Sequence, residues 1–93
     1  MTIKYRTKDG KADYEFSLEQ RPNGDWRAYI LSQPSYGNRP TDADSTHRLT
    51  EGGRKYVCWT APIQSREALK QVVALWSDCT QDYIKYGIPI RRP

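Results

Sequence analysis

The sequence holds few residues that carry chemistry. There is one histidine, His47, and two cysteines, Cys58 and Cys79. Two thiols are too few for a disulfide scaffold. One imidazole and two distant thiols do not make a zinc pattern, so neither metal nor cofactor is expected. No apolar run approaches the roughly 18 residues that a membrane span requires. Met1 to Lys11 is polar and basic, without the apolar stretch of a secretory leader. The expectation is a soluble, cytoplasmic protein whose thiols stay reduced and serve as small hydrophobes. There is no internal repeat, no low-complexity segment, no Cys-x-x-Cys and no nucleophile elbow.

The remaining composition is that of one globular domain. Ninety-three residues, 37% of them hydrophobic and 28% charged, fit a single core. Three Trp, seven Tyr and one Phe supply large side chains to bury. The formal net charge is +4, but both signs are spread along the chain. That distribution suits an ordinary mixed surface better than the concentrated basic stripe of many nucleic-acid binders.

Local patterns predict the fold. Ile3, Tyr5 and Thr7 alternate with Lys4, Arg6 and Lys8, and Asp9-Gly10 has the residues of a tight type I′ turn. Pairing across that turn sets Arg6 against Asp13, Lys4 against Glu15, Tyr5 against Tyr14 and Ile3 against Phe16. One register therefore matches charges on one face and apolar groups on the other. Next, Arg21-Pro22-Asn23-Gly24-Asp25 predicts a three-residue loop. It places Leu18 opposite Ala28, Phe16 opposite Ile30 and Glu19 opposite Arg27. Residues 34–46 lack any period and are expected to form an irregular loop. A third hairpin then turns at Gly52-Gly53 and runs on through Thr60. Alternation in 55–60 sends either Val57 and Trp59 or Tyr56 and Cys58 to the outer face.

Ser65 is a plausible N-cap, and Leu69, Val72, Val73, Trp76, Cys79, Thr80 and Tyr83 form one helical stripe. Gly87 suits a left-handed helix end and Pro89 forbids continuation. A short basic tail, 88–93, follows. The expected architecture is α+β: an antiparallel sheet of four to five strands in consecutive hairpins, packed on one long C-terminal helix, as a single domain over residues 1–93.

This layout carries no function of its own, so function must be read from side chains. His47 with Cys58 or Cys79 would be the minimal nucleophilic dyad, but nothing around them supports it, and the protein is read as non-enzymatic. Asp42 and Asp44 are read as solvating the loop, and Gly52-Gly53 beside Arg54 and Lys55 as a hairpin turn rather than a phosphate loop.

The outer sheet face is the best candidate surface. Arg27, Tyr29, Leu31 and Trp59, extended by Tyr36, Arg39, His47 and Arg48 of the long loop and its exit, have the composition of interaction hot spots. The expectation is a small accessory protein that binds a protein partner or self-associates. The alternative is a single-stranded nucleic-acid binder that stacks bases on the same face. Short proteins of this kind are common in bacteria, and a bacterial source is expected.

Overall fold

The computed structural model describes residues 1–90. Five strands, β1 (Thr2–Arg6), β2 (Asp13–Gln20), β3 (Trp26–Ser32), β4 (Arg48–Glu51) and β5 (Arg54–Val57), form one antiparallel sheet. A one-turn helix, α1 (Ala43–Thr46), precedes β4, and a long helix, α2 (Arg66–Tyr86), ends the fold. The α+β arrangement expected from the sequence is present. The strand order is β1-β2-β3-β5-β4, so the last strand sits inside the sheet, between β3 and β4.

The charge and apolar matches of the first two hairpins coincide with the observed register. Arg6 lies opposite Asp13, Lys4 opposite Glu15, Tyr5 opposite Tyr14 and Ile3 opposite Phe16. Leu18 lies opposite Ala28 and Glu19 opposite Arg27. The second turn is the three-residue loop, closed by the Arg21 N–H donating to the Asp25 carbonyl at 2.7 Å, with Gly24 at φ 93°. The first turn differs from the type I′ expectation. A type I′ turn needs positive φ at both central residues, and only Gly10 has it, at 71°. Thr7 instead closes a four-residue loop by donating its N–H to the Ala12 carbonyl. The Asp9 carboxylate accepts from the Thr7 hydroxyl and the Lys11 N–H. Asp9 gains two donors this way, and the register is unchanged.

The core lies between the sheet and α2. Tyr14, Phe16, Leu18, Ala28 and Val57 bury against Leu69, Val73 and Trp76. The Trp76 ring meets Tyr14 and Phe16 edge-on, each at 6.0 Å between centroids. Both predicted caps of α2 form: the Ser65 hydroxyl accepts from Ala68 N–H, and Gly87 takes φ 72°. Three residues of α2 lay it alongside β1 in the same direction. Arg66 reaches the Met1 sulfur, Asp78 accepts from the Tyr5 hydroxyl (2.8 Å) and the Lys8 N–H (2.9 Å), and Lys85 pairs with Asp9 at 3.1 Å.

The segment expected to be irregular is held at several points. Asp42, read as a solvating residue, caps α1 by accepting from Ser45 N–H. Trp76 donates its indole N–H to the Thr46 carbonyl at 3.0 Å, and Tyr83 donates to the Pro40 carbonyl at 2.7 Å. Tyr36, Tyr83 and Ile90 form a second small buried cluster. Ile90, expected in a basic tail, is therefore a packing residue. Arg91 and Arg92 of that tail lie outside the described residues. Among the described residues, no helix is long and apolar enough to cross a membrane.

Candidate functional site

The facing of β5 decides which side chains reach the outer surface. Val57 is buried in the core, so Tyr56 points outward, where it lies opposite Tyr29 of β3 and Leu49 of β4. The Tyr29 and Tyr56 rings meet edge-on at 5.8 Å. Two guanidinium groups cross this pair in opposite directions. Arg27 lies 3.8 Å above the Tyr56 ring and reaches Glu51 at 2.8 Å. Arg54 lies 3.7 Å above the Tyr29 ring and grips both carboxylate oxygens of Glu19.

The expected Glu19–Arg27 charge pair is thus replaced by two others. Glu19 and Arg27 are opposite in the backbone. The insertion of β5 beside β3, however, brings Arg54 and Glu51 within reach. Bidentate contact to Arg54, then the Ser17 hydroxyl, holds the Glu19 carboxyl below its ordinary range.

The eight residues singled out in the sequence fall into three settings. Tyr29 is buried and the Arg27 side chain is only 12% exposed, so both belong to the stack. Leu31, where the β2–β3 register slips, is 52% exposed beside it.

Tyr36, Arg39 and Arg48 make contacts within the fold. The buried Tyr36 ring meets Tyr83 edge-on and carries the Arg48 guanidinium at 4.7 Å. Burial raises the Tyr36 phenol pKa, with Gln33 alongside working against it. Arg39 donates to the carbonyls of Ile84 and Lys85, capping the end of α2. His47 ends α1 in the left-handed conformation, φ 52°, and its carbonyl accepts the N–H of Cys58 at 2.8 Å. His47 and Cys58 are therefore backbone partners just beyond the β4–β5 ladder. Cys79 lies apart from them, on α2, beside the second buried cluster.

Trp59 lies past the end of β5, in a cleft. There β3 and β5 separate beyond the Tyr29–Tyr56 pair, and the gap of about 220 Å³ is walled by Trp26, Arg27, Leu49, Tyr56, Cys58 and Trp59. Pro62 and Ile63 close its end, anchored by the Trp26 N–H donating to the Ile63 carbonyl at 2.7 Å. Arg21 and Asp25 also line the cleft, so with Arg27 its wall mixes charged groups with aromatic and apolar ones. Sequence reasoning singled out two of its walls, Arg27 and Trp59, and offered Tyr56 and Cys58 as one of two facings of β5. It missed Trp26 and Leu49, whose placement depends on β5 lying between β3 and β4.

Compared with protein-family models, with curated proteins and with solved structures, the chain shows no match. The functional reading therefore rests on this geometry.

Proposed function

We propose that the protein is a small non-enzymatic accessory module that binds a protein partner, with the cleft beside Trp59 as the anchor site. The observation that carries this reading is the cleft itself. It has room for one large side chain, and it is lined by Trp26, Tyr56 and Trp59 with Leu49 and Arg27. Interface energy concentrates where an aromatic or Arg-lined pocket takes an anchor inside a polar rim. The Arg27–Tyr56 stack pre-organises one wall, which lowers the ordering cost of binding. Leu31 and Leu49, 52% and 41% exposed, add apolar surface on the same face.

The alternative, stacking of nucleic-acid bases, is less well supported. Each tyrosine ring of the face already carries a guanidinium, and the charges of Arg27 and Arg54 are matched by Glu51 and Glu19. A base and a phosphate would both have to displace internal partners. A non-enzymatic role also fits Cys79, whose thiol pKa is raised by burial, then by Asp82 and Asp78, the reverse of an activated nucleophile. Two cysteines outside any disulfide fit a reducing, cytoplasmic setting.

The test is affinity capture from the source cell with wild-type protein, Trp59→Ala, Leu49→Asp and, as a control on the exposed side of α2, Lys70→Ala. One protein should be retained by wild type and Lys70→Ala and lost by both cleft variants. Equal retention by all four would sink the proposal, as would retention of nucleic acid alone. Iodoacetamide at neutral pH should modify both thiols slowly in the folded protein. Rapid reaction of Cys58, the backbone partner of His47, would contradict the non-enzymatic reading.

A further inference from the structure

Strand β1 is an edge strand, and no described strand pairs with its outer side. The Thr7 N–H donates to Ala12 and the Leu18 N–H to Met1. These bonds fix the ladder phase, so the backbone groups of Met1, Ile3, Tyr5 and Thr7 face β2. Those of Thr2, Lys4 and Arg6 point away from it. The edge therefore offers three N–H donors and three carbonyl acceptors in one line.

Helix α2 runs beside this edge in the same direction, as the Arg66–Met1, Asp78–Tyr5 and Lys85–Asp9 contacts require. Ile3 and Tyr5, on the helix side of the sheet, are only partly buried. The outward faces of Lys4 and Arg6 are 62% and 64% exposed. The other edge is poorer, because β4 has four residues, α1 packs beside it, and Arg48 is held on Tyr36.

We propose that this edge takes an extended protein segment of alternating acidic and apolar residues as a sixth, antiparallel strand. This surface is separate from the cleft and does not depend on it. The charge pattern of the occupant is read from the chain itself. On its inner side β1 already pairs with Asp13-Tyr14-Glu15-Phe16-Ser17, acids opposite Arg6 and Lys4 and aromatics opposite Tyr5 and Ile3. Side chains of a strand present the same faces to both neighbours. Lys4 and Arg6 pair with Glu15 and Asp13 yet keep more than half of each side chain open to solvent, so a segment on the open side meets the same row, acids beside Arg6 and Lys4 and apolar groups beside Tyr5 and Ile3. A second copy pairing β1 with β1 would set Lys4 against Lys4, a like-charge match that disfavours self-association. Strand addition of this kind takes affinity from main-chain bonds and specificity from alternate side chains.

The probe is a synthetic peptide of residues 13–20, added to isotope-labelled protein at low salt. Amide signals of Thr2, Lys4 and Arg6 should shift in a saturable way. A peptide with lysine in place of its acids should bind at least about tenfold more weakly. Lys4→Pro removes one outward donor and no ladder bond, a change edge strands tolerate, and should abolish binding while the rest of the spectrum is kept. Lys4→Glu, at an exposed position of the edge strand, should weaken binding about tenfold or more and serves if the proline variant does not fold. Absence of shifts at Thr2, Lys4 and Arg6 would overturn the proposal. Shifts confined to the inward amides of Ile3 and Tyr5, which mean exchange with β2, would overturn it too, as would binding unchanged in both variants.

Discussion

At the scale of single residues, Arg27 organises the outer face. Its guanidinium lies on Tyr56, accepts nothing, and donates to Glu51 and the Tyr29 hydroxyl. A planar fork that stacks and donates at once is not replaced by an ammonium. Arg27→Lys should therefore cost roughly 1–2 kcal/mol in denaturant unfolding and leave the cleft wall loose. A loss as small as that of a typical exposed substitution would show that the stack is incidental.

Asp9 governs a different response. The Thr7 hydroxyl first, then the Lys11 amide and Lys85, holds its carboxyl far below the usual range, and Lys85 is raised in turn. The folded state binds this proton less tightly than the unfolded chain. Its contribution is complete above the unfolded value, about 3.9, and fades as pH falls below that. Stability measured from pH 6 down to pH 2 should decline less steeply for Asp9→Asn than for wild type. Parallel curves would contradict the role given to this carboxylate. At this scale the sequence was legible where partners are close in the chain: Arg6–Asp13 and Lys4–Glu15 follow from one turn. It was not legible for Arg27–Glu51 and Arg54–Glu19, whose partners are brought together by strand order.

At the scale of elements, α2 was readable almost to the residue, because Ser65, the apolar stripe and Gly87 act through local geometry. The segment before β4 was not. Nothing in Ser35–Ser45 has a period, and its order comes from distant donors, Trp76 and Tyr83, acting on the carbonyls of Thr46 and Pro40. Trp76→Phe keeps most of the buried ring and strands the Thr46 carbonyl. It should cost roughly 1–3 kcal/mol and speed amide exchange in 42–47. Unchanged exchange there would show that the indole bond does not hold the segment.

The end of α2 offers a coupled test. At Gly87 an added methyl would meet the Arg39 guanidinium at 2.8 Å and occupy a left-handed backbone. Gly87→Ala should therefore cost about 1–2 kcal/mol for the backbone and more for the displaced arginine. With Arg39→Ala already present, only the backbone cost should remain. Strict additivity of the two changes would exclude the contact.

At the scale of the whole molecule, the layers were legible and the strand order was not. Period-two patterns in the first half and a period of 3.6 in the last third call for a sheet on a helix. The place of the third hairpin depends on which edge of the sheet accepts it. That choice puts Tyr56 against Tyr29, and it opens the cleft where β3 and β5 part. Trp59 was singled out for its type. Its meaning as a cleft wall follows only from this topology.

The central claim is that a partner side chain occupies that cleft, and the three indole N–H signals report on it directly. When the captured partner is added, the Trp26 and Trp59 signals should shift together. The signal of Trp76, bonded to the Thr46 carbonyl in the core, should stay in place. A complex that forms with Trp26 and Trp59 unmoved would contradict the account.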